Sequence, residues 1–283
     1  MSFSSDVKAE LARHCSKKRH CLIAELAAMI MFEGRINMQP LELTFGSENP
    51  MLLGKYAILM KRAFHIDISK PLSEEDCKKI IEAIQGLYLD KMCCKRAFLR
   101  GAFMATGSMS DPNKSYHFEI VCKTIEQAER LQELMQEFET DAKIVERKNH
   151  QVVYLKEGSQ IVDMLNVMEA YVSLMNLENV RIIKEVRNSV NRKVNCETAN
   201  INKTVNAAVK QIADIELIRD TVGLDKLPKP LQEIAAVRLE HPEAPLKELG
   251  NYLNPPVGKS GINHRLRKIA AFAEELGKQT QKP

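Results

Sequence analysis

The chain has 283 residues, 45% of them hydrophobic and 28% charged, which excludes a disordered chain and predicts a large folded domain plus a small one. Its net charge of +4 is unevenly divided: residues 1–180 carry 23 basic and 25 acidic side chains, net −2, and residues 181–283 carry 18 and 12, net +6. The asymmetry predicts that the last third meets a polyanion while the rest does something else. Seven cysteines, an odd number with no CxxC pair, fit free thiols in a reducing cytosol better than a disulfide framework. The start, Met1 to Asp6, lacks the pattern of a signal peptide, and no apolar run approaches the ~20 residues that span a bilayer, so no membrane partner is expected.

The periodicity predicts a short helix over 5–14 with Phe3, Val7 and Leu11 on one side, then an intensely apolar helix over 21–33 that ends at Glu33-Gly34. Ile36, Met38, Leu41, Leu43 and Phe45 alternate as in strands. A helix follows over 51–63, a strand over Phe64 to Ser69, and a helix capped by Ser73 through about Leu87. The pattern then restarts. A second apolar helix over 93–105 ends at Thr106-Gly107, and Tyr116 to Cys122 alternate as a strand. Thr124 caps a helix through Phe138, a hairpin turns at Lys148-Asn149-His150, and Ser159 caps another helix. Helix–strands–helix thus occurs twice, about 73 residues apart, as an internal α+β repeat. Residues 173–219 read as helical and rich in Asn, Lys and Arg, and short helices separated by Pro and Gly close the chain.

The two apolar helices carry small residues, Ala24, Ala27 and Ala28 in one and Gly101, Ala102 and Ala105 in the other, which would let them pack closely as a pseudo-twofold core. The stretches Glu25 to Gly34 and Phe98 to Gly107 both resemble the LAGLIDADG motif of homing endonucleases. In that family the acidic residue before the final Gly holds a divalent metal, and two such carboxylates serve two-metal hydrolysis. Here the first copy keeps Glu33 but the second has Thr106, a poor ligand for a hard cation, so the pair reads as a vestigial metal site and no enzyme is expected.

The last segment predicts a helix-turn-helix over about 245–278. Leu246, Leu249 and Leu253 form one face of a first helix, and Gly250 sits where a second helix could pass close. Asn254-Pro255-Pro256-Val257-Gly258-Lys259 is the turn, and Ser260 is expected to cap the next helix. In that helix Ile262, Leu266, Ile269, Ala273 and Leu276 form one stripe. Ser260, Asn263, His264, Arg267 and Lys268 lie opposite it, in the first turns, where a recognition helix presents its side chains to base edges. Arg265 lies nearer the apolar flank and is expected to reach a phosphate or a packing partner. Lys247, Lys259 and Lys268 add cations for phosphates. The turn is longer than in the compact motif and resembles that of sigma-factor region 4.

One family joins a degenerate LAGLIDADG domain to such a module, and this chain resembles it nearly end to end: the WhiA regulators. The resemblance rests on Phe98 to Phe103 running into Gly107-Ser108 and Asp111-Pro112, on Asn191 to Asn200, and on Lys259 to Ile269. It implies an α+β, pseudo-twofold LAGLIDADG-like domain (repeats over 1–88 and 89–180), a basic helical linker (181–222) and a small all-α helix-turn-helix domain (223–283). It also implies a sequence-specific transcription regulator, cytoplasmic and nucleoid-associated, with double-stranded DNA as partner. WhiA proteins act in sporulation in sporulating actinomycetes and in cell division and chromosome segregation in low-GC Gram-positive bacteria, and the resemblance points more to the second role. The alternatives are a metal-dependent LAGLIDADG endonuclease and a DNA-anchored scaffold whose N-terminal domain binds a protein.

In the basic segment Arg187, Asn191, Arg192, Lys193 and Lys203 are candidates for DNA contact or for interdomain hydrogen bonds, as are Asn195, Asn202 and Asn206. No metal or other cofactor is expected. His14-Cys15 and His20-Cys21 are adjacent pairs without the usual zinc-ligand spacing, and Cys93-Cys94 is expected in the core.

Overall fold

Two helices, α2 (Arg19–Glu33) and α5 (Met92–Thr106), are apolar on nearly every face, and a helix of that kind has to lie inside a core. They pack directly on each other. A Cβ at Gly101 would stand 2.3 Å from the carbonyl oxygen of Glu25 and 3.0 Å from the Cβ of Ala28, an approach that only glycine permits. The computed structural model describes residues 2–280 and divides at Val186–Arg187 into two units, and this helix pair is the centre of the first.

Around the pair stand α1 (Phe3–Arg13), β1 (Arg35–Met38), β2 (Leu41–Thr44), α3 (Pro50–Phe64) and α4 (Glu74–Gln85). The second repeat contributes β3 (Gly107–Met109), β4 (Phe118–Cys122), α6 (Ile125–Gln136), β5 (Lys143–Arg147), β6 (His150–Leu155) and α7 (Gly158–Met168). The α+β class and the two helix–strands–helix repeats follow, but the repeats are unequal. The second holds a four-stranded antiparallel sheet in the order β3-β4-β6-β5, the first only the β1-β2 ribbon. The hairpin turns at Lys148 and Asn149, both at positive φ (49° and 64°), as a tight two-residue turn requires.

Several expectations are corrected here. Phe64 to Ser69 is not a strand. His65 closes α3 in the left-handed region at φ 61°, and the Asp67 carboxylate accepts the Ser69 N–H at 3.0 Å, a local turn that leaves no extended edge to pair. Ile36 and Met38 are 43% and 64% exposed although their cross-strand partners Leu43 and Leu41 pack on the core, because they lie on β1, the outer strand of the ribbon. The short strand β3 was not anticipated. Ser159 lies inside α7, whose N-cap is Glu157.

An ionic cluster is buried inside the first unit. The Glu25 carboxylate of α2 lies 3.0 Å from Lys55 Nζ of α3 and accepts from Arg100 Nη2 of α5 at 3.3 Å; Arg100 Nε lies 3.1 Å from it as an ion pair too oblique for a hydrogen bond. Arg100 Nη1 also donates to Glu169 at 2.7 Å and to the Met168 carbonyl at 3.2 Å, and Lys55 donates to the carbonyls of Leu11 and His14. Two cations thus meet two carboxylates, as burial of charge demands.

The helix α8 (Tyr171–Thr221) runs for 51 residues without a break. Its first turn belongs to the first unit, where the Glu10 carboxylate of α1 accepts from Val172 N, Ser173 N and Ser173 Oγ at 2.6–2.9 Å and caps its open N–H groups. In the second unit its last turns supply Ile215 and Ile218 to a core shared with α9 (Lys229–Glu240), α10 (Leu246–Asn251) and α11 (Lys259–Thr280). Of the stretch 181–222 expected as a basic helical linker, residues 187–222 fall within the second unit. Among the described residues no helix is long and apolar enough to cross a membrane.

Candidate nucleic-acid interface

The C-terminal unit is built to hold one face of α11 inward. Ile262, Leu266, Ile269 and Ala273 are buried, and Leu276 packs beside them. The same core holds Leu231, Ile234 and Ala235 of α9 and Leu249 of α10, so α11 is anchored on two neighbours. The α9–α10 turn is tied by a buried arginine that the sequence reading did not single out. Arg238 Nη1 donates to the carbonyls of Ala244 (2.8 Å), Pro242 (3.3 Å) and His241 (3.5 Å), and burial lowers its pKa. An arginine in the last turn of an amphipathic helix just before a proline was the available signal. The His241 and Tyr252 rings stack at 4.0 Å across α10.

The segment between α10 and α11 is held against α10 by Val257 N–H, which donates to the Gly250 carbonyl at 3.0 Å. Gly250 is the position of close approach, but what passes there first is the turn, at Val257, with Ile262 of α11 behind it. Ser260 is not the cap: α11 begins at Lys259, and the Gly258 carbonyl accepts the Ile262 N–H, so the cap position falls on Gly258.

Opposite the buried stripe, Ser260, His264, Arg267 and Lys268 are exposed and Asn263 is half-buried, and Lys259, the first residue of α11, is exposed as well. All six lie in the first three turns of α11. Arg265 turns to the flank, where Nη1 reaches the Pro230 carbonyl at 3.4 Å and the Glu233 carboxylate at 3.9 Å; its partner in this structure is α9. Lys247 is exposed on α10. In α8, Arg187, Asn191, Arg192, Lys193 and Lys203 are all exposed, and so are Asn195, Asn202 and Asn206.

At the C-terminal ends of α2 and α5, Glu33 and Thr106 are both half-buried. Thr106 Oγ1 is engaged, donating to the Val121 carbonyl at 2.7 Å. The Lys8 ammonium of α1 lies near Glu33: burial pulls its pKa down and the Glu33 carboxylate pulls it back up. The Lys8 ammonium itself lies over the Phe103 ring, and the Thr106 hydroxyl at the second position is committed to the sheet.

The class of chain is thus an endonuclease-like LAGLIDADG-type α+β unit followed by a helical unit with a helix-turn-helix. Comparison with known proteins narrows it. The family model described as the WhiA LAGLIDADG-like domain matches residues 95–187, and that of the WhiA C-terminal HTH domain matches residues 190–273. The chain is 47% identical to a protein named "Probable cell division protein WhiA" from Lachnoclostridium phytofermentans, over 98% of this chain and 99% of that one. It is 48% identical to a protein of the same name from Lachnospira eligens, with 98% of each covered. The crystal structure of full-length DUF199/WhiA from Thermatoga maritima superposes with a TM-score of 0.63 at 28% identity, covering 97% of this chain and 99% of that one. The chain belongs to the WhiA family.

Proposed function

We propose that this protein is a sequence-specific DNA-binding transcription regulator of cell division and chromosome segregation, working in the cytoplasm on the nucleoid, and that it catalyses no reaction. The observation that carries the reading is the two-sided character of α11: a clean buried stripe, and hydrogen-bonding and cationic groups exposed opposite it in the first turns. Asn263, His264 and Arg267 are the base readers in this reading, with Asn suited to adenine and Arg to guanine edges. Lys247, Lys259, Ser260 and Lys268 hold phosphates, and Arg265 keeps α11 on α9. The exposed cations Arg187, Arg192, Lys193 and Lys203 extend the phosphate-contacting surface. The LAGLIDADG-like unit takes a protein partner rather than DNA, because residues 1–180 are net negative and the first repeat offers only a two-stranded ribbon.

The test begins with chromosome-wide mapping of binding sites in the native host, followed by binding of the full-length protein to a mapped site and to scrambled DNA at one salt concentration. Arg267→Ala and Asn263→Ala are expected to lose about 1–3 kcal/mol of discrimination each. Lys259→Ala and Lys268→Ala are expected to weaken both DNAs alike and to lower the salt slope by about 1. An unchanged specific-to-scrambled ratio in folded Arg267→Ala and Asn263→Ala protein would overturn α11 as the reader.

The endonuclease alternative is tested separately. Purified protein is expected to leave supercoiled and linear DNA uncut with magnesium or manganese, since the position equivalent to Glu33 is Thr106, whose hydroxyl is tied to Val121. Specific cleavage that disappears in Glu33→Gln would reverse this conclusion.

A further inference from the structure

The N-terminal ends of α2 and α5 hold a second group of polar side chains, at the opposite end of the helices from Glu33 and Thr106. His20 and Cys21 occupy the first turn of α2, and Cys93 and Cys94 the first turn of α5. The two pairs are 73 residues apart, the same offset that relates Gly34 to Gly107, so they are equivalent positions of the internal repeat. Packing of α2 on α5 brings them together. Their ligand atoms, one nitrogen and three sulfurs, all lie within 4.8 Å of one another. His20 Nδ1 is 3.0 Å from Cys94 Sγ and 3.3 Å from Cys21 Sγ. Cys21 and Cys94 are 3% exposed, whereas His20 and Cys93 form a half-buried rim.

From this geometry we infer that His20, Cys21, Cys93 and Cys94 form a structural zinc site that staples the two central helices together at their N-terminal ends. A tetrahedral zinc, with bonds of ~2.3 Å to sulfur and ~2.0–2.1 Å to nitrogen, places its ligands roughly 3.5–3.8 Å apart, so the shell closes with shifts of about 1 Å. One imidazole and three thiolates are soft to borderline donors, which select zinc over magnesium or calcium. All four positions are taken by protein, which marks a structural rather than a catalytic site.

The electrostatics of the location agree. Neither helix has an acidic residue in its first turn, and neither Lys18 nor Lys91 provides a side-chain cap. Two uncapped helix N-termini converge here, each favouring negative charge. A zinc ion with three thiolates and a neutral imidazole is a unit of net −1, and it would sit between them. Without a metal, burial and then the neighbouring sulfurs push the Cys21 and Cys94 thiols up, Cys94 to about 11. Zinc binding would displace their protons, so uptake is expected to weaken as pH falls. Adjacent His-Cys or Cys-Cys residues make a poor chelate singly, which is why spacing along the chain argued against a metal. Two such pairs facing each other make a complete shell.

The test uses the full-length protein, produced with zinc in the medium and purified under reducing conditions without chelators. Elemental analysis is expected to find about one zinc per chain. Cys93→Ser and His20→Ala, both at the half-buried rim, are expected to retain less than about a fifth of it, and Cys196→Ser, on the exposed part of α8, all of it. Cobalt substitution is expected to show the thiolate charge-transfer and tetrahedral ligand-field bands, absent in Cys93→Ser. Chelator is expected to lower the unfolding midpoint of the parent protein but not of a folded rim variant. Metal-free protein with seven titratable thiols and no cobalt spectrum would overturn the site, as would a disulfide within this group in protein isolated under reducing conditions. Should one rim variant fail to fold, the other together with the cobalt spectrum of the parent decides.

Discussion

Glu25→Ala is expected to destabilise the N-terminal unit by about 3–5 kcal/mol, a large fraction of the 5–15 kcal/mol that holds a typical domain folded. The Glu25 side chain has no solvent exposure, and it faces Lys55, also with none, and Arg100 at 2%. Truncating the carboxylate leaves two cations in the core with only Glu169, itself 28% exposed, to balance them. The size of the effect comes from those stranded charges rather than from the worth of the intact cluster, because burying the ions cost solvation to begin with. Glu25→Gln keeps the shape and part of the hydrogen bonding and is expected to fall between parent and Ala. Removing all three charges together, with Glu25→Leu, Lys55→Met and Arg100→Met, is expected to recover part of the loss. Recovery stays incomplete because the carbonyls of Leu11, His14 and Met168 lose their donors. Equilibrium denaturation in urea, followed by circular dichroism, measures all four proteins. A cost below about 1 kcal/mol for Glu25→Ala would show that water reaches the cluster and that it is not a dry ionic core.

Gly250→Ala is the corresponding test of the C-terminal unit. A Cβ there would stand 1.9 Å from the Val257 carbonyl oxygen and 3.1 Å from its carbon, and these are backbone atoms that no rotamer change can move aside. The turn must lift off α10, and the Val257 N–H bond to Gly250 goes with it. The expected cost is about 1–3 kcal/mol or more, as for overpacking elsewhere. Because Val257 leads directly into Lys259, the displacement is passed on to the start of α11, where the proposed base readers sit. Specific DNA affinity is therefore expected to fall by about tenfold or more in protein that remains folded, equivalent to roughly 1.4 kcal/mol. Gly277→Ala is the control. Nothing lies within 4 Å of its added Cβ, and it is helical, so the change is expected to be neutral or to stabilise by about 0.5–1 kcal/mol with DNA binding intact. Thermal unfolding and DNA titration of both variants check this. Wild-type stability in Gly250→Ala would mean that the turn has room to rearrange.

The parts of this protein that depend on near neighbours in the chain were legible in its sequence. Periodicity along one helix follows from 3.6 residues per turn, so the buried stripe Ile262, Leu266, Ile269 and Ala273 and the polar face opposite it could be read directly. The same holds for the Ser73 and Thr124 caps and the hairpin at Lys148-Asn149, whose hydrogen bonds span four residues or fewer. The small residues of α2 and α5 announced close packing, and Gly101 against Glu25 is its outcome. Features set by distant partners were not legible. The strand expected over 64–69 has suitable residues but no neighbour to pair with, and pairing is decided across the sheet. Ser260 has the chemistry of a cap, yet the cap falls two residues earlier, on Gly258, where the turn held at Gly250 delivers the chain. The ionic cluster draws Glu25, Lys55, Arg100 and Glu169 from four separate segments, and the His20, Cys21, Cys93 and Cys94 group joins two pairs that looked unremarkable one at a time. A sequence states which groups are available and what each helix face can bury. Which charges meet, and which thiols face an imidazole, is decided only when the two repeats fold together, because electrostatics and coordination act through distance in space rather than along the chain.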